Sequence, residues 1–167
     1  DIGSLNQSVR NTNDAISLVN TYDGAAQEIE SILIRMRELA VQTRNGTYEA
    51  ADRTNADYEY TALKNEITRI AGVSAFNRMT VGQGATTANG NTTSADTSFT
   101  FYVGSDVAKT GNSISFSAKA LDLNLAVSSS TLNSVVDATS AGQAIATLDD
   151  AITELAANRA QAGALIN

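Results

Sequence analysis

The chain of 167 residues contains no proline, cysteine, histidine or tryptophan. Without cysteine it has neither a disulfide framework nor a thiolate metal site, and redox chemistry says nothing about its compartment. Without histidine the commonest general base and transition-metal ligand is missing, which leaves carboxylates, Lys, Ser or Tyr for any catalysis. Aromatic residues are only 5% of the chain and the net charge is −7. That balance opposes nucleic-acid phosphates and anionic membranes, and no basic run overrides it. No apolar stretch approaches the roughly 20 residues that span a bilayer. Asp1 opens directly on a helical pattern instead of the basic and then apolar leader of a secretory signal. The chain starts without Met and stops in mid-pattern at Asn167, as a fragment would.

What is present is Ala, Thr, Ser and Asn, a composition suited to long helices joined by polar loops, and a length that favours one domain. From Asp1 to about Arg44 the pattern is helical throughout, about 66 Å if unbroken. Its most ordered part is Gln27 to Thr47, where Ile29, Ile32, Leu33, Met36, Leu39, Ala40 and Thr43 fall on one face. A strict heptad from Ile2 would put Asp23, Glu30 and Arg37 in the seam, so the stripe is expected to slip near Tyr22 to Gly24. Gly24 there marks either a bend or close approach, or a tolerated glycine. Glu30 with Arg37 and Arg35 with Glu38 are expected to pair along the helix. Asn45-Gly46 ends it, with Gly46 expected to supply a left-handed conformation.

Two further segments can cover that stripe. Glu49 to Ala71 repeats Ala56, Tyr60, Leu63, Ile67 and Ile70 at helical spacing and meets Gly72 as its stop. Near the other end, Ser140 with Gln143 fits a capping box, and Ala141, Ile145, Leu148, Ile152, Leu155, Ala162 and Ile166 form a third stripe. Between them the period changes. Thr80 to Ser98 reads as a polar loop with a turn at Asn89-Gly90. Phe99, Phe101 and Val103, then Ile114, Phe116 and Ala118, then Leu121, Leu123 and Leu125, alternate with other residues as strands do. The expected fold is therefore mainly α with a small β part. It is an elongated bundle of long helices, two N-terminal and one C-terminal, with a β-hairpin region. The N-terminal helical part is 1–81, the loop and hairpin region 82–139 and the C-terminal helix 140–167.

The segment Arg37-Glu38-Leu39-Ala40-Val41-Gln42 resembles bacterial flagellin when read with Asp23-Gly24-Ala25 upstream and Ile70-Ala71-Gly72 to Phe76-Asn77 downstream. Asn11 to Ser17 and the closing Arg159 to Asn167 are similar to further family segments. Arg78 departs from the pattern, since the family usually has Gly after Phe-Asn. The resemblance implies the inner-shell part of a secreted, self-assembling subunit of the flagellar filament, with further terminal helices beyond both ends and the large outer domains missing. It implies other flagellin subunits as partners and an export chaperone for the full-length protein. It also implies a host Toll-like receptor that contacts Arg35, Leu39 and Glu59, with Arg37, Glu38, Ala40, Val41 and Gln42 around them. An unfolded subunit that travels through a narrow channel does best without disulfides and slow prolyl isomerisation, and this chain has neither Cys nor Pro.

Other readings attach to particular residues. Asp52, Asp57 and Glu59, or Asp149, Asp150 and Glu154, are acidic groups that read better as solvated helix faces than as catalytic or metal-binding pairs. Exposed tyrosines among Tyr22, Tyr48, Tyr58, Tyr60 and Tyr102 can stack on sugars, although Tyr22 and Tyr60 fall on apolar stripes. Hydroxyls from Thr86 to Thr97 can accept O-linked glycans. No enzyme, metal or cofactor is expected. The alternatives to a filament subunit are a flagellin-like cell-surface protein that binds a polysaccharide or other ligand, and a hook–filament junction protein.

Overall fold

A computed structural model describes residues 2–81, 97–103, 112–118 and 134–166. Three helices dominate: α1 (Ile2–Arg44), α2 (Ala50–Val73) and α3 (Ala138–Ile166). Between α2 and α3 lie two antiparallel hairpins, β1 (Ala75–Phe76) with β2 (Met79–Thr80), and β3 (Thr97–Tyr102) with β4 (Ser113–Ala118). The expected bundle and hairpin are both there. The strand pattern at Leu121 to Leu125, the Ser/Thr stretch from Thr86 and the turn at Asn89-Gly90 lie outside the described residues.

Helix α1 is the spine, with the other two helices packed antiparallel along it. Its buried residues include Leu18, Tyr22, Ala26, Ile29, Leu33, Met36 and Ala40, which recur every three or four positions and so share one face. Tyr60, Ile67 and Ile70 of α2 close one flank. On α3 the buried positions Ala141, Ala144, Leu148, Ala151, Leu155, Asn158 and Ala162 alternate at three- and four-residue steps, the seam spacing of helices packed side by side. Four of these seven are Ala, which lets the backbones approach closely.

The larger hairpin caps the N-terminal half of this bundle. Phe99 faces Phe116 and Phe101 faces Ile114 across the strands, so one side of the ribbon is apolar. Ser98, Thr100, Tyr102, Ser113 and Ser115 point the other way and are exposed. Phe116 meets the Tyr22 ring edge-on at 5.4 Å between centroids, an arrangement favoured by the ring quadrupoles. Asn11 Nδ2 donates to the carbonyl of Tyr102 at 2.7 Å and fixes the ribbon's end to α1.

Several local expectations are corrected. α1 runs unbroken through Gly24, where an added Cβ would meet nothing within 4 Å. The glycine is simply tolerated and marks no close approach. Gly46 does not adopt a left-handed φ. The chain turns instead on Asn45, whose N–H donates to the Gln42 carbonyl at 3.2 Å and whose Oδ1 accepts from the Thr47 N–H at 3.3 Å. The N-terminus of α3 is capped by Asp137, not Ser140. Asp137 Oδ1 accepts from the N–H groups of Thr139 and Ser140, both at 2.9 Å, while the Ser140 hydroxyl donates to Oδ2. A carboxylate three residues earlier satisfies two orphan donors at once. The smaller hairpin was not anticipated, and its two turn residues, Asn77 (φ 49°) and Arg78 (φ 65°), are both left-handed.

Candidate assembly and docking surface

Around the end of α1 the side chains of the resembling segment divide by direction. Leu39 is 2% exposed and Ala40 fully buried, because both point into the seam between the helices. The surface role expected for them is corrected accordingly: they support the surface from beneath. Arg35, Arg37, Glu38, Val41, Gln42 and Glu59 are exposed.

The exposed members do not form one continuous patch. Arg35 reaches α2, pairing with Glu59 at 2.7 Å and with Glu38 on its own helix at 3.3 Å. The hydrogen bond that Arg35 donates to Glu59, then the one it donates to Glu38, holds the Arg35 pKa above its ordinary value. Arg37 reaches α3 instead, where Asp149 Oδ1 lies 2.5 Å from Nε and likewise raises its pKa. Beside Arg35, with Leu39 and Ala56 as its floor, an open cleft of about 450 Å³ is rimmed by Gln42, Tyr48, Asp52, Asn55 and Glu59. Gln42 donates to the Tyr48 hydroxyl across it.

Three of the acidic groups tie elements together, while Asp52 and Asp150 are exposed on their helices. Asp57 accepts the Val135 N–H at 2.7 Å, Glu59 holds Arg35 and Asp149 holds Arg37. Among the described residues no group of three or more acidic side chains could hold a metal ion. Farther along the same seam, Arg159 of α3 donates to Asp23 at 2.9 Å and to Glu30. Glu30 therefore pairs across to α3 and not with Arg37. Asp23, Glu30 and Arg37, which the heptad count made an apparent slip, are a polar row at seven-residue steps that meets Asp149 and Arg159 of α3. The period was the available signal, and only knowledge of the partner helix could give it meaning.

A second surface feature includes Leu5 and Val9, which helical spacing alone places on the apolar stripe of α1. Leu5 (62% exposed), Val9 (61%), Ile34 (46%) and Val41 (48%) are large apolar side chains left open to solvent on α1. They form two exposed apolar pairs, one toward each end of α1, and each suits contact with another surface. Within each pair, Leu5 with Val9 and Ile34 with Val41, the side chains project within about 40° of one another at 100° per residue. Of the tyrosines, Tyr22 and Tyr60 are buried, whereas Tyr58 and Tyr102 are exposed.

Fold and surface together define a bundle of long helices with exposed side chains along its length. A family model described as the bacterial flagellin N-terminal helical region matches residues 1–87. The flagellar filament 30.7 kDa core protein of Treponema maltophilum is 33% identical over 99% of this chain and 58% of that protein. The flagellar filament 41 kDa core protein of Borreliella burgdorferi is 46% identical over 47% of this chain and 23% of that protein. The crystal structure of Bacillus cereus flagellin superposes with a TM-score of 0.75 at 35% identity, covering 95% of this chain and 83% of that one. The chain belongs to the bacterial flagellin family. It spans at most 58% of the length of these two filament core proteins.

Proposed function

We propose that this chain is the core of a structural subunit of the flagellar filament, an extracellular assembly built by side-by-side packing of copies for motility. The observation that carries the reading, beside family membership, is the set of exposed apolar side chains Leu5, Val9, Ile34 and Val41 on α1. Burying such side chains against a neighbour stabilises the contact by about 1.5–3 kcal/mol each when burial is complete. Repetition along a rod gives the length of interface that a filament needs. The interhelical pairs at Arg35, Arg37 and Arg159 keep the rod stiff while that surface is loaded.

The test is seeded polymerisation of the full-length protein followed by electron microscopy. Wild type should grow filaments, and the double variant Ile34→Asp, Val41→Asp should remain monomeric with unchanged helical circular dichroism. Normal filaments from the double variant would remove this face from the assembly.

A second role is supported by the cleft beside Arg35. Its rim carries an exposed guanidinium beside an apolar floor, the combination found at anchor points of protein interfaces. We propose this as the docking surface for a host Toll-like receptor, with Arg35 and Glu59 as its polar contacts. Arg35 must leave Glu59 to pair with the receptor. A cell reporter assay in which Arg35→Ala responds as strongly as wild type, or in which wild type gives no response, would end this reading.

A further inference from the structure

Asn45 and Gly46 form the exposed head of the turn between α1 and α2, and the surrounding bonds act on the peptide group that joins them. The carbonyl oxygen of Asn45 accepts from the Tyr48 N–H at 3.2 Å and from Arg53 Nη2 at 3.1 Å. Arg53 is held in place by a second bond, from Nε to the Tyr48 carbonyl at 3.1 Å. The side-chain Oδ1 of Asn45 accepts from the Thr47 N–H at 3.3 Å, which folds the carboxamide back over the following peptide. Among the described residues the Gly46 N–H has no hydrogen-bond acceptor. Space around Gly46 is open, since a Cβ there would meet nothing within 4 Å.

We infer that Asn45 is a site of spontaneous covalent modification, deamidating through a succinimide in the folded protein. The Gly46 nitrogen loses its proton to solvent base and attacks Cγ of Asn45. The new N–Cγ bond forms, the Cγ–Nδ2 bond breaks, and Nδ2 leaves as ammonia after taking a proton from water. Water then opens the imide at either carbonyl, leaving aspartate or isoaspartate at position 45.

Each contact favours this step for a stated reason. A guanidinium on the Asn45 carbonyl oxygen stabilises the negative charge that spreads there when the Gly46 nitrogen is deprotonated. The Thr47 N–H lies on the oxygen where charge develops as Cγ becomes tetrahedral. Glycine adds no side chain to obstruct the approach. Folding usually protects such a dipeptide by holding it rigid, and here the same folded bonds activate it.

The product alters the turn. Isoaspartate routes the main chain through the β-carbon and adds a carboxylate a few residues from Glu49, so the bonds from Thr47 and Tyr48 to Asn45 cannot both persist. A deamidated molecule carries a changed α1–α2 connection next to the Arg35 cleft, and the altered fraction rises with age.

The experiment incubates the purified folded chain in mildly alkaline buffer. The amide lost from the Leu39 to Glu49 peptide is followed by mass and isoaspartyl methyltransferase labelling. That peptide separates Asn45 from the second Asn-Gly pair at Asn89. Asn45 is expected to react faster in the folded chain than in the same chain held in urea. Arg53→Gln should slow the folded reaction roughly tenfold, the effect of losing one charge-assisted bond that strengthens in the transition state, and leave the denatured rate unchanged. Hydrogen exchange at the Gly46 N–H should slow in the same variant, whereas mere loosening of the turn would speed it. Gly46→Ala, which fits the backbone found here, should preserve the Asn45 amide if Arg53→Gln fails to fold. A folded rate below the denatured one, or wild-type rates in both variants, would overturn the assignment.

Discussion

Replacing Arg78 by glycine should stabilise the protein, although it deletes a side chain and adds a flexible residue. Arg78 holds φ at 65° as the second residue of the β1–β2 turn, beside Asn77 at 49°. A left-handed conformation costs an L-residue with a Cβ about 1–2 kcal/mol, a penalty that Asn partly escapes and Gly does not incur. Glycine gives back about 0.4–1 kcal/mol because the unfolded chain gains freedom. The difference is a net gain of about 0–1.6 kcal/mol, centred near 0.8, or about 2–3 °C in Tm at the centre for a chain of this size. Thermal unfolding by circular dichroism measures it. Amide exchange at Val81, whose N–H donates to the Ser74 carbonyl at 2.8 Å just outside the hairpin, shows whether the gain is local. Arg78→Val should move in the opposite direction, since a β-branched residue tolerates this φ least. If Arg78→Gly lowered Tm, the strain argument would be wrong and the arginine side chain would matter more than its backbone.

Three further outcomes follow from the packing. Tyr60→Phe should stabilise by about 1 kcal/mol in urea titration, because the Tyr60 hydroxyl is buried without a partner among the described residues and such a group costs about 1–3 kcal/mol. Burial, and then the neighbouring Asp57 carboxylate, already pushes that phenol well above its ordinary pKa. Phe116→Ala should cost about 3–5 kcal/mol and free the larger hairpin from α1. Phe99→Ala, at a half-buried position, should cost less. Acid should loosen the start of α3, since the backbone N–H and hydroxyl of Ser140 hold the Asp137 carboxylate below its ordinary 3.8. A depressed folded-state value stabilises in full above pH 3.8, declines as pH falls below that and is lost once pH passes the folded value. Asp137→Asn should flatten that part of the pH profile read by helical circular dichroism.

Helix existence, the core stripe and the hairpin were legible because each is set by local period. Met36 and Phe116 sit where alternation and periodicity place them. Residues whose role depends on a distant partner were not legible. Asp23, Glu30 and Arg37 break an apolar heptad until Arg159 and Asp149 are brought beside them, and nothing local reveals that antiparallel register. The cap of α3 was misplaced by three residues because Ser140 and Asp137 are both good capping types, and only backbone geometry chooses between them. Leu39 belonged by period to the core and by resemblance to an interface. Its burial settles its orientation, while the exposed ion pair between Arg35 and Glu59 carries the polar surface above it.

If the exposed apolar residues of α1 pack against neighbouring copies, as proposed, Val41 is covered in the filament. The chain has no cysteine, so Val41→Cys places a single reactive thiol within it, and the variant is made in the full-length protein. Maleimide labelling should be fast in the monomer and strongly suppressed after seeded polymerisation, while a cysteine at the buried Met36 should stay slow in both states. Equal labelling of Val41→Cys in monomer and filament would contradict the claim and place the subunit contacts elsewhere.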